Sequence, residues 1–261
     1  MIYAKKSLGQ NFLIDNNVVK NIIKLTNVKN KNVIEIGPGK GALTDEILKK
    51  SPKSLKLVEK DFNLAGELNI KYFKTGLIKV FNDDILKLKL DRIIHKNTII
   101  FGNLPYNISS QIFVKILRLE KLHLKIEDII LMFQKELGEK IICKYPSANY
   151  GRLSILMNLK LNFIKKFYIS PNCFFPKPKV TSIVIHFKPK KNILSKIKKI
   201  ENLEKITNIL FSNKRKMINK NIKKVLNEAD VKKIFNLKLN LRPAEISPNI
   251  YYKITELFEK K

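Results

Sequence analysis

The tetrapeptide Asn-Leu-Pro-Tyr at residues 103–106, within the run FGNLPYNISS, has the clearest potential for chemistry. The apolar residues 98–101 before it predict a buried strand that breaks at Gly102, and open α/β sheets bind ligands at strand ends of this kind. A carboxamide, a backbone made rigid by proline and an aromatic ring therefore lie side by side. We interpret this group as suited to gripping a flat base that carries an amino group.

Residues at three successive strand ends earlier in the chain form a second signature. Gly37, Gly39 and Gly41 follow the first strand, where glycine lets the backbone approach a ligand, and their spacing disfavours a pyrophosphate. Glu59 ends the next strand, 22 residues after Gly37, where a carboxylate can accept both hydroxyls of a ribose. Asp84 follows the third strand and can accept from an adenine amino group. This order fits a non-phosphorylated adenosine cofactor, with S-adenosylmethionine as the leading candidate.

The two signatures together predict methyl transfer to an aromatic amino group. Such a nitrogen is a poor nucleophile because its lone pair is delocalised into the ring. If the Asn103 carboxamide oxygen and the Leu104 carbonyl each accept one of its hydrogens, the nitrogen becomes more tetrahedral and directs its lone pair at the methyl donor. No strong base is needed, since the proton can leave afterwards through solvent, and Tyr106 would stack on the base.

Alternating strands and helices position these residues. The alternation predicts an α/β fold with a mostly parallel sheet, right-handed crossovers and helices on both faces. Two period-2 segments joined by a proline-rich loop, residues 171–178, predict an antiparallel pair at the sheet edge. The predicted elements are strands 32–36, 54–59, 77–81, 98–101, 129–133, 161–169 and 180–187, and helices 42–50, 61–71, 109–119 and 135–143.

The two ends of the chain differ from this α/β pattern. Residues 1–31 form a polar lead that contains an amphipathic helix from Asp15 to Leu25, with Asp15 as its N-cap. We predict two domains, residues 1–190 and residues 191–261, the second without strands. Its predicted helices are 195–211, 216–226, 228–235 and 249–258.

The net charge of +30 indicates attraction to polyanions, with nucleic acid as the obvious partner. Residues 188–224 hold 13 basic residues against two acidic ones. However, 47 of the 52 basic residues are Lys, alongside abundant Asn and Ile, which also fits the codon bias of an AT-rich genome. Charge alone therefore supports RNA binding only weakly.

Composition argues against several other classes of protein. Hydrophobic residues make up 44% and aromatic residues 9%, which predicts a folded core rather than disorder. No apolar run approaches the length of a membrane span, and the N-terminus lacks a secretory signal, so we expect a cytoplasmic protein with no membrane partner. The two cysteines and three histidines are scattered, which indicates neither a disulfide framework nor a metal site.

Nine motifs distributed over nearly the whole chain form a family resemblance. They are SLGQNFL (7–13), EIGPGKGALT (35–44), VEKD (58–61), FGNLPYNISS (101–110), FQKE (133–136), YGRLSI (150–155), FFPKPKVTS (174–182), FSNKRKMINKN (211–221) and LRPAEIS (241–247). Through them the chain resembles the rRNA adenine N6,N6-dimethyltransferases of the kasugamycin-sensitivity type. The resemblance implies a Rossmann-like class I S-adenosylmethionine methyltransferase domain and a small helical rRNA-binding domain.

By this resemblance, a set of residues matches the cofactor-contacting positions of the family: Asn11, Leu13, Gly37, Glu59, Asp84 and Asn103. Asn11 and Leu13 would close the lead over the cofactor. Phe174 would sandwich the target base opposite Tyr106, after the base has left its stack. The catalytic set implied in this way is Asn103, Leu104, Tyr106 and Phe174.

The resemblance also implies a reaction and a partner. Two methyl groups would pass to each of two adjacent adenosines in the 3′-terminal hairpin of small-subunit rRNA within a 30S precursor, leaving S-adenosylhomocysteine and needing no metal. Lys214, Arg215 and Lys216 would bind the rRNA backbone. In this helical part the chain has Lys at many positions where the family more often has Arg. A Lys ammonium acts as a point charge, whereas an Arg guanidinium can bind a phosphate through two hydrogen bonds. We expect a monomer.

Three other functions stay open at this point. The related large-subunit rRNA adenine methyltransferase of the macrolide-resistance type shares the cofactor loop and a similar Asn-x-Pro-Tyr motif. A DNA adenine methyltransferase is a weaker rival. A non-catalytic assembly factor would use the fold only as an rRNA-binding scaffold, and the intact Glu59, Asp84, Asn103 and Tyr106 argue against it.

Overall fold

The computed structural model describes Lys5 and residues 8–260. Residues 1–4, 6, 7 and 261 lie outside the described part, and with them part of the predicted lead and Ser7 of the SLGQNFL motif. The chain divides into two compact units, unit 1 (Met1–Gly138 with Phe163–Pro189) and unit 2 (Glu139–Asn162 with Lys190–Lys261). Unit 1 ends at Pro189, one residue before the end of the predicted first domain. Residues 139–162, which the sequence assigns to the first domain, group instead with unit 2.

Among the described residues, nine strands form two sheets. The strands are β1 (Phe12–Leu13), β2 (Asn32–Ile36), β3 (Ser54–Glu59), β4 (Ile78–Asn82), β5 (Thr98–Asn103), β6 (Ile126–Gln134), β7 (Leu161–Ile169), β8 (Phe174–Phe175) and β9 (Ser182–Pro189). The main sheet has the order β4-β3-β2-β5-β6-β9-β7. Strands β2 to β6 pair in parallel, whereas β9 is antiparallel to β6. The predicted mostly parallel sheet with an antiparallel addition at one edge is confirmed.

The core of unit 1 lies where helices cover the parallel strands. Because parallel strands are buried on both faces, β5 is a continuous apolar run in which Ile99, Ile100 and Phe101 are fully buried. Asp15 accepts from the amides of Asn17 and Val18 as the predicted N-cap of the first helix. The helices before and after the parallel strands are α1 (Asn16–Ile23), α2 (Ala42–Leu48), α3 (Phe62–Tyr72), α4 (Ser109–Leu117), α5 (Leu122–Lys125) and α6 (Lys135–Ile141).

A second, two-stranded sheet ties the lead to the proline-rich loop. Strand β1 pairs antiparallel with β8, so that Phe12 lies opposite Phe175 and Leu13 lies opposite Phe174. Neighbouring residues of a strand point to opposite faces, and accordingly Phe174 is buried while Phe175 is 63% exposed.

Apart from Leu161 and Asn162, which begin β7, the regular structure in the described part of unit 2 is helical. Its helices are α7 (Arg152–Lys160), α8 (Ile200–Phe211), α9 (Asn219–Ile222), α10 (Glu228–Lys232) and α11 (Pro248–Phe258). Helices α8 and α11 pack through the rings of Phe211 and Tyr251, whose centroids are 5.8 Å apart. Helix α8 begins five residues later than predicted because Glu259 accepts the amides of Lys198 and Lys199, which holds that segment outside the helix. No helix in the described part of the chain is long and apolar enough to span a membrane.

Candidate active site

The carboxyl ends of β2, β3 and β5 meet at a cleft of about 1130 Å³, counting the space open to solvent at its mouth. The chain passes from β2 to β3 and β4 on one side, and β5 lies on the other side of β2. The cleft therefore opens at the topological switch point, where open α/β sheets bind ligands. Most of the predicted site residues line it: Asn11, Leu13, Gly37, Glu59, Asp84, Asn103, Leu104 and Tyr106.

The loop after β2 needs glycine for both conformation and space. Gly37 and Gly39 have φ values of +68° and +56°, in a backbone region that residues with a Cβ rarely adopt. A Cβ on Gly37 would lie 3.1 Å from the carbonyl oxygen of Asn103, and one on Gly39 would lie 2.9 Å from the Phe12 ring. The two glycines thus keep this wall of the cleft close to β5 and to the lead.

Glu59 is held in the cleft by backbone donors. One carboxylate oxygen accepts the Gly39 amide at 3.2 Å and the other accepts the Asp61 amide at 2.9 Å. Burial raises the pKa of Glu59, and these two amides oppose the rise by favouring the ionised form. Because each carboxylate oxygen has more than one lone pair, both can still accept the hydroxyls of a ribose.

Asp84 is the second fixed carboxylate. The Lys60 ammonium lies 2.9 Å from one of its oxygens, and the Leu86 amide donates to the other at 2.9 Å. The ion pair with Lys60 lowers the pKa of Asp84, so the group is an ionised acceptor at neutral pH. Asp84 lies beyond the end of β4, next to β3, which ends at Glu59. This geometry matches an adenosine whose ribose and base edge are bound at adjacent strand ends.

Asn103 ends β5 with its amide orientation fixed. The Nδ2 group donates to the carbonyl oxygen of Asn11 at 3.0 Å, which ties β5 to the lead. The carboxamide oxygen has no protein donor in the described part of the chain, and it remains as an acceptor at the cleft. Leu104 follows with its side chain buried, and it packs so closely that a Cβ on Gly102 would lie 2.7 Å from it.

Tyr106 is anchored by a residue that the sequence did not single out. Its hydroxyl lies 2.5 Å from the hydroxyl of Ser182, the first residue of β9. Ser182 is fully buried, and burial also raises the pKa of the Tyr106 phenol, so this ring stays neutral. The contact joins residues 76 positions apart, and no local sequence pattern could have indicated it. Ser182 acts here as a positioning residue for the ring.

The lead is fastened to the cleft through Asp61. The Lys5 ammonium lies 2.9 Å from one oxygen of Asp61, and the Gln10 side-chain amide donates to the same carboxylate at 3.1 Å. Burial acts to raise the pKa of Asp61, but these bonds and the Asn63 amide outweigh it, and the pKa lies below its usual value. Asp61 belongs to the VEKD motif, yet sequence reasoning gave it no role.

Glu35 is a second carboxylate that sequence reasoning missed. It is the fourth of the five residues of β2 and has 1% of its surface exposed. Its carboxylate accepts a hydrogen bond from the Thr44 hydroxyl at 2.7 Å. Burial raises its pKa to about 8, so the carboxyl is mostly protonated at neutral pH. A lone acidic residue within an otherwise apolar strand was the available signal.

The structure does not bring Phe174 to the cleft. Its ring is 3% exposed and belongs to the hydrophobic core together with Leu13 and Met132. The ring would have to turn outward to stack on a base, and its stacking role therefore stays a prediction. Lys214, Arg215 and Lys216 lie in an exposed turn of unit 2 between α8 and α9.

The cleft fits S-adenosylmethionine by the chemistry of its acceptors. Two carboxylates suited to a ribose and an adenine edge line the cleft, and a glycine loop without phosphate-type spacing follows β2, between the ends of β3 and β5. No group of three or more His, Cys, Asp or Glu residues in the described part of the chain could hold a metal ion. A doubly wound sheet with this donor and acceptor set beside Asn-Leu-Pro-Tyr defines an S-adenosylmethionine-dependent methyltransferase.

Comparison with known proteins gives the family. The model of the family described as ribosomal RNA adenine dimethylase matches residues 1–260, and the chain belongs to this family. A "Ribosomal RNA small subunit methyltransferase A" of Pelagibacter ubique is 47% identical over 259 residues, 99% of this chain and 98% of that protein. The protein of the same description from the Wolbachia of Brugia malayi is 39% identical over 251 residues, 95% of this chain and 94% of that protein.

Two solved structures share the fold. A dimethyladenosine transferase from Plasmodium falciparum aligns with a TM-score of 0.76 and 23% identity, over 95% of this chain and 98% of that one. The 23S rRNA methyltransferase ErmE aligns with a TM-score of 0.67 and 22% identity, over 95% and 99% of the two chains. The predicted family, fold class and cofactor are thereby confirmed.

Proposed function

We propose that the protein transfers two methyl groups from S-adenosylmethionine to N6 of each of two adjacent adenosines in the 3′-terminal hairpin of small-subunit rRNA. The substrate is a 30S precursor in the cytoplasm, and the enzyme acts as a monomer. The observation that carries the proposal is the fixed Asn103 amide, which leaves its oxygen as an acceptor at the switch point. The relatives described as small-subunit methyltransferases support the choice of rRNA.

The cofactor is held by residues of three strand ends and the lead. Glu59 accepts from the ribose hydroxyls and Asp84 from the adenine amino group, while Gly37 keeps the backbone close to the ligand. Asn11 and Leu13 cover it, with the lead fastened by the bonds of Asp61. When bound, the cofactor supplies an electrophilic methyl group. Placing this group next to β5 removes most of the entropy cost of bringing the two reactants together.

The target amino group is activated by two acceptors at the carboxyl end of β5. The carboxamide oxygen of Asn103 and the carbonyl of Leu104 each accept one hydrogen, which favours a tetrahedral nitrogen and stabilises the charge that develops there. Tyr106 stacks on the flipped base, and Ser182 holds the phenol in place. Unstacking the base costs a few kcal/mol, which this contact offsets.

The opposite face of the base is assigned to Phe174, with its neighbour as a built-in control. Phe174→Ala should reduce methyl transfer about tenfold or more if the ring turns outward to stack, since base–aromatic stacking contributes about 1–3 kcal/mol. Phe175→Ala removes an exposed ring of the same strand without changing the core. Because Phe174→Ala also opens a core cavity, thermal melting of both variants must show that unit 1 is folded. Greater loss in Phe175→Ala would transfer the stacking role to Phe175.

The experiment that tests the function uses small subunits isolated without this modification. They are incubated with the protein and methyl-labelled S-adenosylmethionine, and the labelled rRNA is mapped by nuclease digestion. We expect dimethyladenosine at two adjacent positions of the 3′-terminal hairpin and four methyl groups per subunit. Label in large-subunit rRNA instead would assign the macrolide-resistance type of reaction, and absence of label with intact binding would assign a scaffold role.

A further inference from the structure

Two lysines gather around one tyrosine at the free edge of the main sheet. The Nζ atoms of Lys135 and Lys166 lie 5.4 Å and 5.3 Å from the ring centroid of Tyr168, and Lys166 also donates to the phenol oxygen at 3.0 Å. All three residues are exposed. We call this group the Tyr168 lysine pair.

The position of Lys135 links this group to the substrate side of the cleft. Lys135 directly follows Gln134, the last residue of β6, and its amide donates to the carbonyl of Thr181 at 2.9 Å. Gln134 is paired in register with Ser182, whose hydroxyl holds Tyr106. The pair therefore lies at the same carboxyl edge of the sheet as Asn103 and Tyr106, on the side of β6 and β9.

The charges of the pair are not neutralised within the protein. In the described part of the chain neither Lys135 nor Lys166 forms an ion pair with a carboxylate, although Glu136 is next in sequence. The side chains of β7 from Asn162 to Lys166 are all exposed. Holding two ammonium groups at one ring brings like charges together, which a shared anion would relieve.

We propose that Lys135 and Lys166, oriented by Tyr168, bind a backbone phosphate of the rRNA segment next to the target adenosine. This inference rests on the proposed function and adds a site in unit 1 to the basic turn of unit 2. A base flipped into the cleft leaves its flanking phosphates at the rim, and cations there hold the distorted strand in register.

The test compares two double variants with the same change of charge. The test variant, Lys135→Gln with Lys166→Gln, removes the pair. The control variant, Lys29→Gln with Lys53→Gln, removes two exposed lysines just before β2 and β3, at the amino-terminal ends of the parallel strands. We measure KM for unmodified small subunits, kcat, affinity for S-adenosylmethionine and the salt dependence of rRNA binding. Lys135→Arg with Lys166→Arg restores the charge as a rescue variant.

We expect the Lys135/Lys166 double Gln variant to raise KM for the subunit about five- to tenfold and to lower the salt slope of binding by about 1, the contribution of a single phosphate. Its kcat and cofactor affinity should match the control, and the Arg variant should regain most of the loss. Equal KM and slope in the two Gln variants would overturn the phosphate site. The KM difference between the two Gln variants could instead persist in the presence of competing free RNA and disappear when ribosomal proteins are stripped from the subunits. That result would assign a protein partner to Lys135 and Lys166, and it would also overturn the phosphate site.

Measuring the wild-type protein in the same experiment distinguishes failure of the phosphate site from failure of the proposed function. Wild-type protein that fails to methylate unmodified small subunits contradicts the proposed function. Active wild-type protein with no difference between the two Gln variants contradicts only the phosphate site.

Discussion

The cofactor edge of unit 1, formed by Glu59, Asp84 and Asn103, and the basic turn of unit 2, residues 214–216, represent two kinds of binding surface. At the cofactor edge each side chain is fixed by a backbone amide, a carbonyl or an ion pair. In the basic turn all three side chains are exposed. The cofactor edge fixes the position of its ligand, whereas the basic turn provides a positive electrostatic field.

Because the two surfaces differ in exposure, different measurements report on each of them. Exposed charges are screened over about 8–10 Å at physiological ionic strength, so binding through the basic turn should weaken with salt. Hydrogen bonds in a partly buried cleft are screened much less, and their loss should appear in cofactor affinity or in turnover. A variant of one surface should therefore leave the readout of the other unchanged.

The largest expected effect concerns the buried carboxyl beneath the cofactor edge. Because the pKa of Glu35 is about 8 in the folded chain and near 4.5 when unfolded, the folded state retains a proton that the unfolded state releases. The free energy of unfolding should therefore fall as pH rises from 4.5 towards 8 and level off above it. Glu35→Gln should remove this pH-dependent loss in the free energy of unfolding, which is on the order of 4 kcal/mol at pH 9.

Denaturant unfolding at pH 5 and pH 9 measures the effect. Glu67→Gln changes an exposed glutamate on α3 and serves as the control with the same chemical change. If Glu35→Gln and wild-type protein lose the same stability between the two pH values, Glu35 is not held protonated by burial.

The next effect concerns the ribose contact. Glu59→Gln keeps one oxygen acceptor but removes the charge, and a hydrogen bond to a charged group contributes about 1.5–3 kcal/mol. The dissociation constant for S-adenosylmethionine should rise about 10- to 100-fold, as measured by calorimetry, with rRNA affinity unchanged. Unaltered cofactor affinity would remove Glu59 from the binding site, and an equal loss in rRNA affinity would break the separation between the two surfaces.

The smallest effect is expected at the basic turn. Replacing Lys214, Arg215 and Lys216 together by Gln should weaken rRNA binding about tenfold near physiological salt and lower the salt slope by about 2 to 3. The matched control replaces Lys29, Lys50 and Lys53 by Gln, three exposed lysines near the amino-terminal ends of β2 and β3 in unit 1. A salt slope equal in both triple variants would reduce the basic turn to a compositional feature of a lysine-rich chain.

Much of the cofactor edge could be predicted from the sequence because it depends on local order. The bounds of β2 and β3 match the prediction, since buried parallel strands are continuous apolar runs with sharp ends. The distance from Gly37 to Glu59 reflects one strand-helix-strand unit, and the carboxyl ends of parallel strands must meet at one edge. The residues that end these strands could therefore be placed together without coordinates.

Contacts between distant segments could not be predicted in this way. The bonds from Lys5 and Gln10 to Asp61 span 56 and 51 positions, and they depend on how the lead folds back. Phe174 and Phe175 have the same side chain on adjacent strand positions, and only the pairing of β8 with β1 decides which ring is buried. The grouping of residues 139–162 with unit 2 likewise follows from tertiary packing rather than from local pattern.

The central claim is that Asn103 acts on the target amino group and not mainly on the cofactor. The most direct test measures single-turnover methyl transfer and S-adenosylmethionine affinity side by side in Asn103→Ala. Removal of one preorganised polar group at a developing charge typically costs about 10²–10³-fold in rate, and here the carboxamide is the main acceptor. We predict that transfer falls by at least about 10²-fold while cofactor affinity changes less than about threefold. Normal turnover in this variant, or a loss explained wholly by weaker cofactor binding, would contradict the account.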